Sequence, residues 1–226
     1  MDFNLPPEIE AYRTRIRTFV DEYILPLEGN SENFDSHESI ALPLLQTLRE
    51  RAKAENLWAL QVSKARGGGE LPMVGMAACY EEMGRSLYGP VVFNSHAPDD
   101  GNMMLLEKVA TDSQKDRWLQ PLIDGLVWSS FAMTEPAPGS GSDPGGMMQT
   151  RAIKRGNKWE IRGHKWFISG AGVAGHFILV ARTSDHPRKG LTAFLFHKDQ
   201  PGWQIERRIP TMGPEEHGGH CELTFD

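Results

Sequence analysis

The segment that decides the fold is residues 131–143, FAMTEPAPGSGSD. It begins inside an apolar run, residues 127–133, which has the composition of a buried strand. The residues after Pro136, up to Asp143, are small, polar, proline or carboxylate, as in an exposed loop. Loops of this kind present backbone N–H groups to anions. Because Pro136, Pro138 and Pro144 restrict its conformations, the segment predicts a restrained loop at the end of a strand.

The sequence before this segment has the periodicity of helices. Residues 111–114, TDSQ, form a capping box that predicts the start of the last helix before Gly125. Helices joined by short polar loops predict an all-α N-terminal domain over residues 1–127. The first of them has apolar residues every three or four positions, on one face: Ile9, Tyr12, Ile16, Phe19, Val20 and Tyr23.

The sequence after the segment changes to the period of strands. Residues 152–155 and 158–161 predict a hairpin, closed by the two-residue turn Gly156-Asn157. Further strands are predicted by apolar or alternating runs at residues 177–181, 191–196 and 221–225. Strands punctuated by turns predict a small antiparallel β-barrel domain over residues 128–226. The predicted fold class is therefore α+β, with two domains in tandem.

The composition limits the classes of partner. The chain has 226 residues, 39% of them hydrophobic, and a net charge of −6 with both signs interspersed. These values predict a soluble globular protein that binds neither nucleic acid nor a membrane. No signal peptide is visible, and no stretch reaches the roughly 20 apolar residues that cross a bilayer. Because the only cysteines, Cys79 and Cys221, are far apart in sequence, we expect a reducing, cytoplasmic location.

Three clusters have alternative interpretations. Residues 99–100, both Asp, could bind a metal or act as an acid/base pair, but their position favours the charged first turn of a helix. Residues 67–69, all glycine, lack the surrounding pattern of a phosphate loop, which favours a plain turn. Residues 217–221, HGGHC, contain metal-ligand types, but without a second Cys/His pair we favour an exposed turn. We therefore expect no metal site.

Two further motifs accompany the first segment. QKDRWLQPLIDG occupies residues 114–125 and GHKWFISG occupies residues 163–170. In order and spacing, the three motifs resemble the signatures of the acyl-CoA dehydrogenase family, and the resemblance covers nearly the whole chain. Residues 97–103, APDDGNM, and 169–172, SGAG, resemble one branch of that family. This branch contains the vertebrate members fused to kinase-like domains and their bacterial relatives.

The resemblance implies that the chain binds FAD. The Thr134 hydroxyl would lie along the polar edge of the flavin and the Ser169 hydroxyl near its N5 atom. Ser142 would contact the coenzyme A substrate or the FAD pyrophosphate. Because the loop is longer than the common family version, Ser140 is an alternative to Ser142. The full set of implied flavin contacts is Phe131, Ala132, Met133, Thr134, Trp166, Phe167, Ile168 and Ser169.

The implied activity is α,β-desaturation of an acyl-CoA thioester, with hydride transfer to flavin N5 and electrons passed to an electron-transfer flavoprotein. A homodimer or homotetramer is implied for the full-length protein. The family's C-terminal helical bundle domain, which carries the catalytic glutamate, has no counterpart in this sequence. We therefore expect a chain truncated after Asp226, with an unknown catalytic base and no activity of its own. Glu135 matches a structural glutamate of the family, which favours that role over a base.

Two other hypotheses stay open. The chain could be a catalytically incomplete fragment or an interaction module without tightly bound flavin. It could instead carry a related chemistry on the same scaffold, as an acyl-CoA oxidase or a flavin monooxygenase-like protein. The flavin content of the purified chain distinguishes the first alternative from a flavin-binding dehydrogenase. The rate at which the reduced flavin reacts with oxygen distinguishes an oxidase from a dehydrogenase.

Overall fold

The computed structural model describes residues 4–186 and 189–226. The chain divides into two compact units, one ending at Leu126 and the other beginning at Val127. The first unit is helical and the second contains a seven-stranded sheet, which confirms the predicted fold class. In the ranges that the model describes, none of the helices combines the length and apolar character that crossing a membrane requires.

The helices of the first unit are short, and π turns extend two of them. The first helix continues through Val20–Ile24, and Lys115–Leu119 joins the last two helices. The predicted capping box is confirmed, because Thr111 and Gln114 exchange side-chain and backbone hydrogen bonds. The α-helices are α1 Pro7–Phe19, α2 Leu42–Ala54, α3 Met73–Met83, α4 Gly89–Val92, α5 Asp99–Val109, α6 Asp112–Gln114 and α7 Gln120–Ile123. The 3-10 turns are Leu25–Leu27, Ser31–Asn33 and Lys64–Arg66.

The core of the first unit forms where α1 packs on α3. The apolar face predicted for α1 is buried at Ile9, Ile16 and Phe19. The Phe19 ring meets the Phe93 ring edge-on at a centroid distance of 5.0 Å. Beside this contact, the buried carboxylate of Glu82 accepts two 2.9 Å hydrogen bonds from the Arg17 guanidinium. An ion pair with this bidentate geometry joins the two helices in a fixed register.

Two of the polar clusters considered above lie in this unit. Asp99 and Asp100 occupy the first turn of α5, as predicted, and Asp100 Oδ2 accepts a hydrogen bond from the Tyr80 hydroxyl at 3.0 Å. The glycines at residues 67–69 follow a 3-10 turn, and Gly67 has a left-handed φ of 95°. The amide of Gly68 donates to the Ser63 carbonyl at 3.0 Å. Both clusters therefore have local structural roles.

The second unit contains seven strands in one curled sheet. The strand order is β1-β4-β2-β3-β7-β6, and β5 pairs with β4. The predicted hairpin is confirmed, because Arg155 and Lys158 are partners across its two-residue turn. The strands are β1 Ser129–Ala132, β2 Arg151–Arg155, β3 Lys158–Ser169, β4 His176–Arg182, β5 Leu191–His197, β6 Trp203–Ile209 and β7 His220–Phe225. A short helix, α8 Pro144–Met147, lies between β1 and β2.

The sheet is antiparallel in most of its pairings, as predicted, and parallel in two. Strand β1 runs parallel to β4, with Ser130 opposite Phe177. Strand β2 meets β4 in parallel only at Arg151 and Arg182. Strands β1 and β2 therefore both run in the same direction as β4. The continuous apolar run of β4 fits this central position.

An aromatic cluster closes the curl of the sheet. Phe177 on β4 is fully buried and stacks on Phe196 of β5 at a centroid distance of 4.7 Å. The Phe196 ring also contacts Trp203 of β6 at 5.4 Å and Phe225 of β7 at 5.8 Å. Strand β5 pairs with β4, and β6 is separated from β4 by β2, β3 and β7, so side-chain contact between β5 and β6 requires the sheet to bend into a half-barrel. Large aromatic rings supply much of the apolar area that such a core buries.

Candidate functional site

Strand β1 ends at Ala132, and the next residues connect it to β3. The carbonyl of Met133 accepts a hydrogen bond from Lys165 Nζ at 2.8 Å. The carbonyl of Thr134 accepts one from the backbone N–H of Trp166 at 3.0 Å. Near the start of β1, the Ser130 hydroxyl donates to the Ser169 carbonyl at 2.7 Å. These bonds bring together the two motifs that the sequence alone suggested as one site.

Glu135 and Lys165 form a buried ion pair behind this junction. Glu135 Oε1 lies 3.0 Å from Lys165 Nζ, and the exposed fractions of the two side chains are 1% and 0%. The carboxylate also accepts hydrogen bonds from the backbone amides of Gln149 and Thr150, at 2.6 and 2.8 Å. A buried charge is tolerated only when it is paired and hydrogen-bonded. Glu135 therefore has the structural role predicted for it, which is to hold both ends of the loop from inside.

Burial and pairing act in opposite directions on the pKa values of this pair. Burial lowers the pKa of Lys165 to about 8, although the hydrogen bond and charge of Glu135 oppose the shift. Burial alone would raise the pKa of Glu135. The hydrogen bonds that Glu135 accepts from Gln149, Thr150 and Lys165 outweigh this effect, so its pKa lies below the usual value. At neutral pH the pair is therefore ionised on both sides.

The loop is built closely around the Glu135 carboxylate. A Cβ atom at Gly139 would lie 2.5 Å from Glu135 Oε2, so a larger residue could not occupy that position without a shift. The amide of Ser140 donates to the same oxygen at 3.4 Å, and Ser140 is partly buried. Ser142, in contrast, is exposed. At the far end, the Asp143 side chain caps α8 by accepting from the Gly145 amide at 2.9 Å.

A bulge in β3 turns two aromatic rings out of the sheet. The register of β3 against β7 shifts between Lys165 and Ile168. Inside the shift, Phe167 adopts a φ of 53°, which is uncommon for a residue with a side chain. Phe167 is 46% exposed, and the Trp166 ring lies beside it at a centroid distance of 4.7 Å. The bulge thus presents an aromatic surface that the core of the unit does not cover.

Ser169 ends β3 with its hydroxyl on a histidine. Ser169 Oγ lies 2.9 Å from Nδ1 of His220, the first residue of β7. The two residues are register partners in the β3–β7 ladder. Both are partly buried, so the pair is reachable from solvent and is not part of the dry core.

The predicted flavin contacts occupy two environments. The side chains of Ala132 and Ile168 are buried in the core of the sheet, so only their main-chain atoms are available to a ligand. The other predicted contacts are at least partly exposed around the junction of β1 and β3: Phe131, Met133, Thr134, Trp166, Phe167 and Ser169. The structure brings these residues together, and their contacts with a cofactor stay predictions.

Lys165 and His220 lie at this junction although neither is among the predicted contacts. Lys165 precedes the apolar residues 166–168 in the GHKWFISG motif, and a lysine inside an apolar strand is a signal for a buried ion pair. The exposed turn favoured for residues 217–221 is correct only for its first part. Residues 217–218 form a turn, but His220 and Cys221 belong to β7, and Cys221 is buried.

The three residues of this cluster have separate partners. The His217 ring contacts the Trp128 ring at a centroid distance of 4.9 Å. His220 contacts Ser169, and Cys221 Sγ lies 3.4 Å from the Gly218 carbonyl. Over residues 4–186 and 189–226, we find no group of three or more His, Cys, Asp or Glu side chains placed to hold a metal ion.

Two family models match the chain. Residues 6–126 match the N-terminal domain of acyl-CoA dehydrogenases, and residues 130–226 match the middle domain. The chain belongs to the acyl-CoA dehydrogenase family. The resemblance seen in the motifs is thereby confirmed. The Glu135–Lys165 pair and the β3 bulge lie within the match to the acyl-CoA dehydrogenase middle domain.

Individual acyl-CoA dehydrogenase sequences agree with this assignment. FadE2 of Mycobacterium tuberculosis, named as a probable acyl-CoA dehydrogenase, is 32% identical over 100% of this chain and 56% of its own length. Acyl-CoA dehydrogenase family member 11 of Mus musculus is 35% identical over 94% of this chain and 28% of its own length. The chain therefore spans little more than half of the first relative and about a quarter of the second.

Solved structures show the same fold. A protein from Mycobacterium abscessus, assigned as an acyl-CoA dehydrogenase, is 32% identical and has a TM-score of 0.86 over 99% of this chain. The match covers 58% of that protein's chain. A structure of PigA with FAD and proline is 25% identical, with a TM-score of 0.79 over 100% of this chain and 57% of its own.

Replacing Lys165 tests whether the ion pair holds the loop. We expect Lys165→Met to lower the free energy of unfolding by about 3–5 kcal/mol, because it leaves the buried Glu135 carboxylate without its cation. The matched control is Lys154→Met on exposed strand β2, for which we expect a change within about 0.5 kcal/mol. Urea unfolding followed by circular dichroism measures both. Equal stabilities of the two variants would contradict the role of the pair.

The lowered pKa of Glu135 predicts a pH-dependent effect of Glu135→Gln. An acid with a depressed folded pKa stabilises the protein fully above its unfolded pKa, near 4.5, and loses this contribution as the pH falls through the folded value. Near neutral pH the stability difference between wild type and variant also depends on Lys165, because Glu135 raises the Lys165 pKa and the variant removes that effect. The test is therefore confined to acid pH. Below pH 4.5 the difference should shrink by roughly 1 kcal/mol per pH unit. A difference that grows as the pH falls from about 4.5 to 3 would contradict this.

Proposed function

We propose that this chain supplies the flavin- and thioester-binding part of an FAD-dependent acyl-CoA dehydrogenase, an enzyme that desaturates an acyl-CoA between its α and β carbons. The observation that carries the proposal is the junction at which residues 131–134 meet residues 166–169 around a buried ion pair. Membership of the family supports the reaction class. FAD is proposed because these residues suit it and because the PigA structure described above contains it.

The chemistry of the junction fits a flavin. The exposed ring of Phe167 and the partly buried ring of Trp166 beside it provide the apolar surface that one face of a flat ring system requires. The hydroxyls of Thr134 and Ser169 provide short polar groups for the ring nitrogens and oxygens. The carbonyl of Met133 is already bound to Lys165, so we propose that Met133 contributes its amide. When bound, the flavin would supply the chemistry of hydride acceptance.

The loop is proposed to contact the nucleotide part of the ligands. Ser142 is exposed, whereas Ser140 is partly buried and its amide is bound to Glu135. Of the two serines that the sequence left open, we therefore propose Ser142 as the contact to coenzyme A or to the FAD pyrophosphate. The role of the ion pair here is to fix the loop in advance, which reduces the ordering cost of binding.

The catalytic base is proposed to come from outside these 226 residues. Removing the α-proton of a thioester requires a carboxylate that can reach the substrate and accept a proton. Glu135 is the carboxylate that follows Thr134 within the flavin motif. It is buried and bound to Lys165 and to two backbone amides, and its lowered pKa makes it a poor proton acceptor. This arrangement supports a positioning role for Glu135.

The remaining expectations concern the whole protein. We propose that its electrons pass to an electron-transfer flavoprotein and that it assembles as a homodimer or homotetramer. We also propose a cytoplasmic location and domain boundaries at residues 1–127 and 128–226. Membership of the acyl-CoA dehydrogenase family supports the proposals of an electron-transfer flavoprotein partner and of a homo-oligomer.

Titration with FAD tests the proposed cofactor. We expect the purified chain to bind FAD with a shift in the flavin absorbance, and Phe167→Ala to weaken binding by roughly tenfold through loss of the aromatic surface. Ile153→Ala, which removes a similarly exposed residue from β2, is the matched control and should bind as wild type does. A folded wild-type chain that binds no FAD would contradict the proposal and favour an interaction module.

Turnover assays test the position of the base. We expect the FAD-loaded chain to show no acyl-CoA dehydrogenase activity with short, medium or long acyl chains, because Glu135 is held by Lys165 and the base is proposed to lie outside these residues. Dye reduction under anaerobic conditions measures this. Turnover that Glu135→Gln abolishes would overturn the assignment of Glu135. The same preparation, reduced chemically and mixed with oxygen, should reoxidise slowly, whereas rapid reoxidation would favour an oxidase.

A further inference from the structure

The hydroxyl of Ser169 is one half of a hydrogen-bonded pair. Its Oγ lies 2.9 Å from Nδ1 of His220. A serine hydroxyl has one proton to donate, and a histidine Nδ1 either carries a proton or accepts one. The state of His220 therefore decides whether the Ser169 proton points towards the imidazole or away from it. Nothing in the family assignment accounts for this histidine.

The fold holds His220 against Ser169 with little freedom. The two residues are partners in the β3–β7 ladder. Immediately before His220, Gly218 and Gly219 have left-handed φ values of 78° and 57°. The Gly219 carbonyl accepts a hydrogen bond from the Gly170 amide at 2.8 Å. A Cβ at Gly218 would lie 2.7 Å from the Val173 amide nitrogen, so the two segments cross at backbone contact distance.

The two states of the pair present opposite hydrogen-bonding groups to a ligand. When Nδ1 of His220 is protonated, it donates to Ser169 Oγ, and the serine O–H is free to donate outward. When Nδ1 is unprotonated, it accepts the serine proton, and Ser169 offers outward only an acceptor. An oxidised flavin has an acceptor at N5, whereas a reduced flavin has an N–H there. With the proton on Nδ1 of His220, Ser169 can donate to N5 of oxidised flavin. Without it, Ser169 can accept from the N5–H of reduced flavin.

We propose that His220 is a positioning residue that sets the direction of the Ser169 hydrogen bond towards flavin N5. The inference rests on the proposed function, because it requires FAD at the junction of β1 and β3. It assigns to His220 a role in matching the site to both redox states of the cofactor. It also explains why the register of β3 is restored at Ile168, after the bulge: Ser169 must meet His220.

The charges described around the pair come from the turn before β7 and from β6. On that turn, the Glu216 carboxylate interacts electrostatically with His220. On β6, the register partner of His220 is the apolar Ile209. The neighbouring Arg208 lies 2.5 Å from Glu215, so its charge is largely compensated. The element opposite, β3, contributes the neutral Ser169.

The first measurement uses the chain without ligand. NMR of the imidazole nitrogens reports which nitrogen of each histidine carries a proton. We expect Ser169→Ala to shift the Nδ1 resonance of His220 and to leave the resonances of His217 in place. An unchanged His220 resonance in the folded variant would show that the pair does not exist in solution, and it would overturn the inference.

The second measurement is the affinity for oxidised FAD as a function of pH. As the pH rises and Nδ1 of His220 gives up its proton, wild-type affinity should fall by roughly fivefold, the value of one hydrogen bond. Ser169→Ala and His220→Phe should both remove this pH dependence, and the double variant should remove no more than either. His217→Phe, which deletes a histidine of the same turn and keeps an aromatic ring, should follow wild type.

The outcomes separate the inference from the function on which it rests. If FAD binds and His220→Phe keeps the full pH dependence of wild type, the inference is wrong and the proposed function stands. If the folded wild-type chain binds no FAD, the proposed function fails and the inference fails with it. A raised affinity at low pH that disappears in both single variants, but not in His217→Phe, supports both.

Discussion

The ion pair between Glu135 and Lys165 is the constraint on which the β unit depends. Both charges are buried, and the hydrogen bonds described for them lead to four segments of the site: the end of β1, the loop after it, the strand β3, and the start of β2. A buried charge cannot be left unpaired without a cost of several kcal/mol. The pair therefore admits few arrangements of the loop between β1 and β2. Its net contribution to stability matters less than the single geometry that it enforces.

Close packing against glycines is the second constraint, and at Gly218 it acts away from the ion pair. At Gly139, Gly163 and Gly218 a Cβ atom would come within 2.7 Å of a neighbouring atom. The β3 bulge adds a strained residue, Phe167, whose left-handed backbone costs energy that the surrounding ladder must supply. The result is an exposed phenylalanine, a partly buried tryptophan and a serine beside a packed core. Strain and exposure of this kind are typical of a ligand site.

Much of this protein could be predicted from its sequence because local patterns determine local structure. The helices of the first unit, the capping box at Thr111 and the hairpin at Gly156-Asn157 follow from periodicity and turn chemistry. The motifs at residues 131–143 and 163–170 identified the family, and the residues they named do lie together. Short-range rules suffice for such features, since each depends on residues within a few positions of one another.

Other features depend on residues that only the fold brings together. Which strands run parallel, the ion-pair partner of Lys165 and the pairing of Ser169 with His220 all depend on contacts across 30 to 51 residues. A lysine, a serine and a histidine have many possible partners in a sequence. In the folded chain, sheet register and burial select among these partners. The sequence by itself determined the family and the elements of this protein, and the tertiary structure decided which polar groups meet, because hydrogen-bond partners are selected by distance in space.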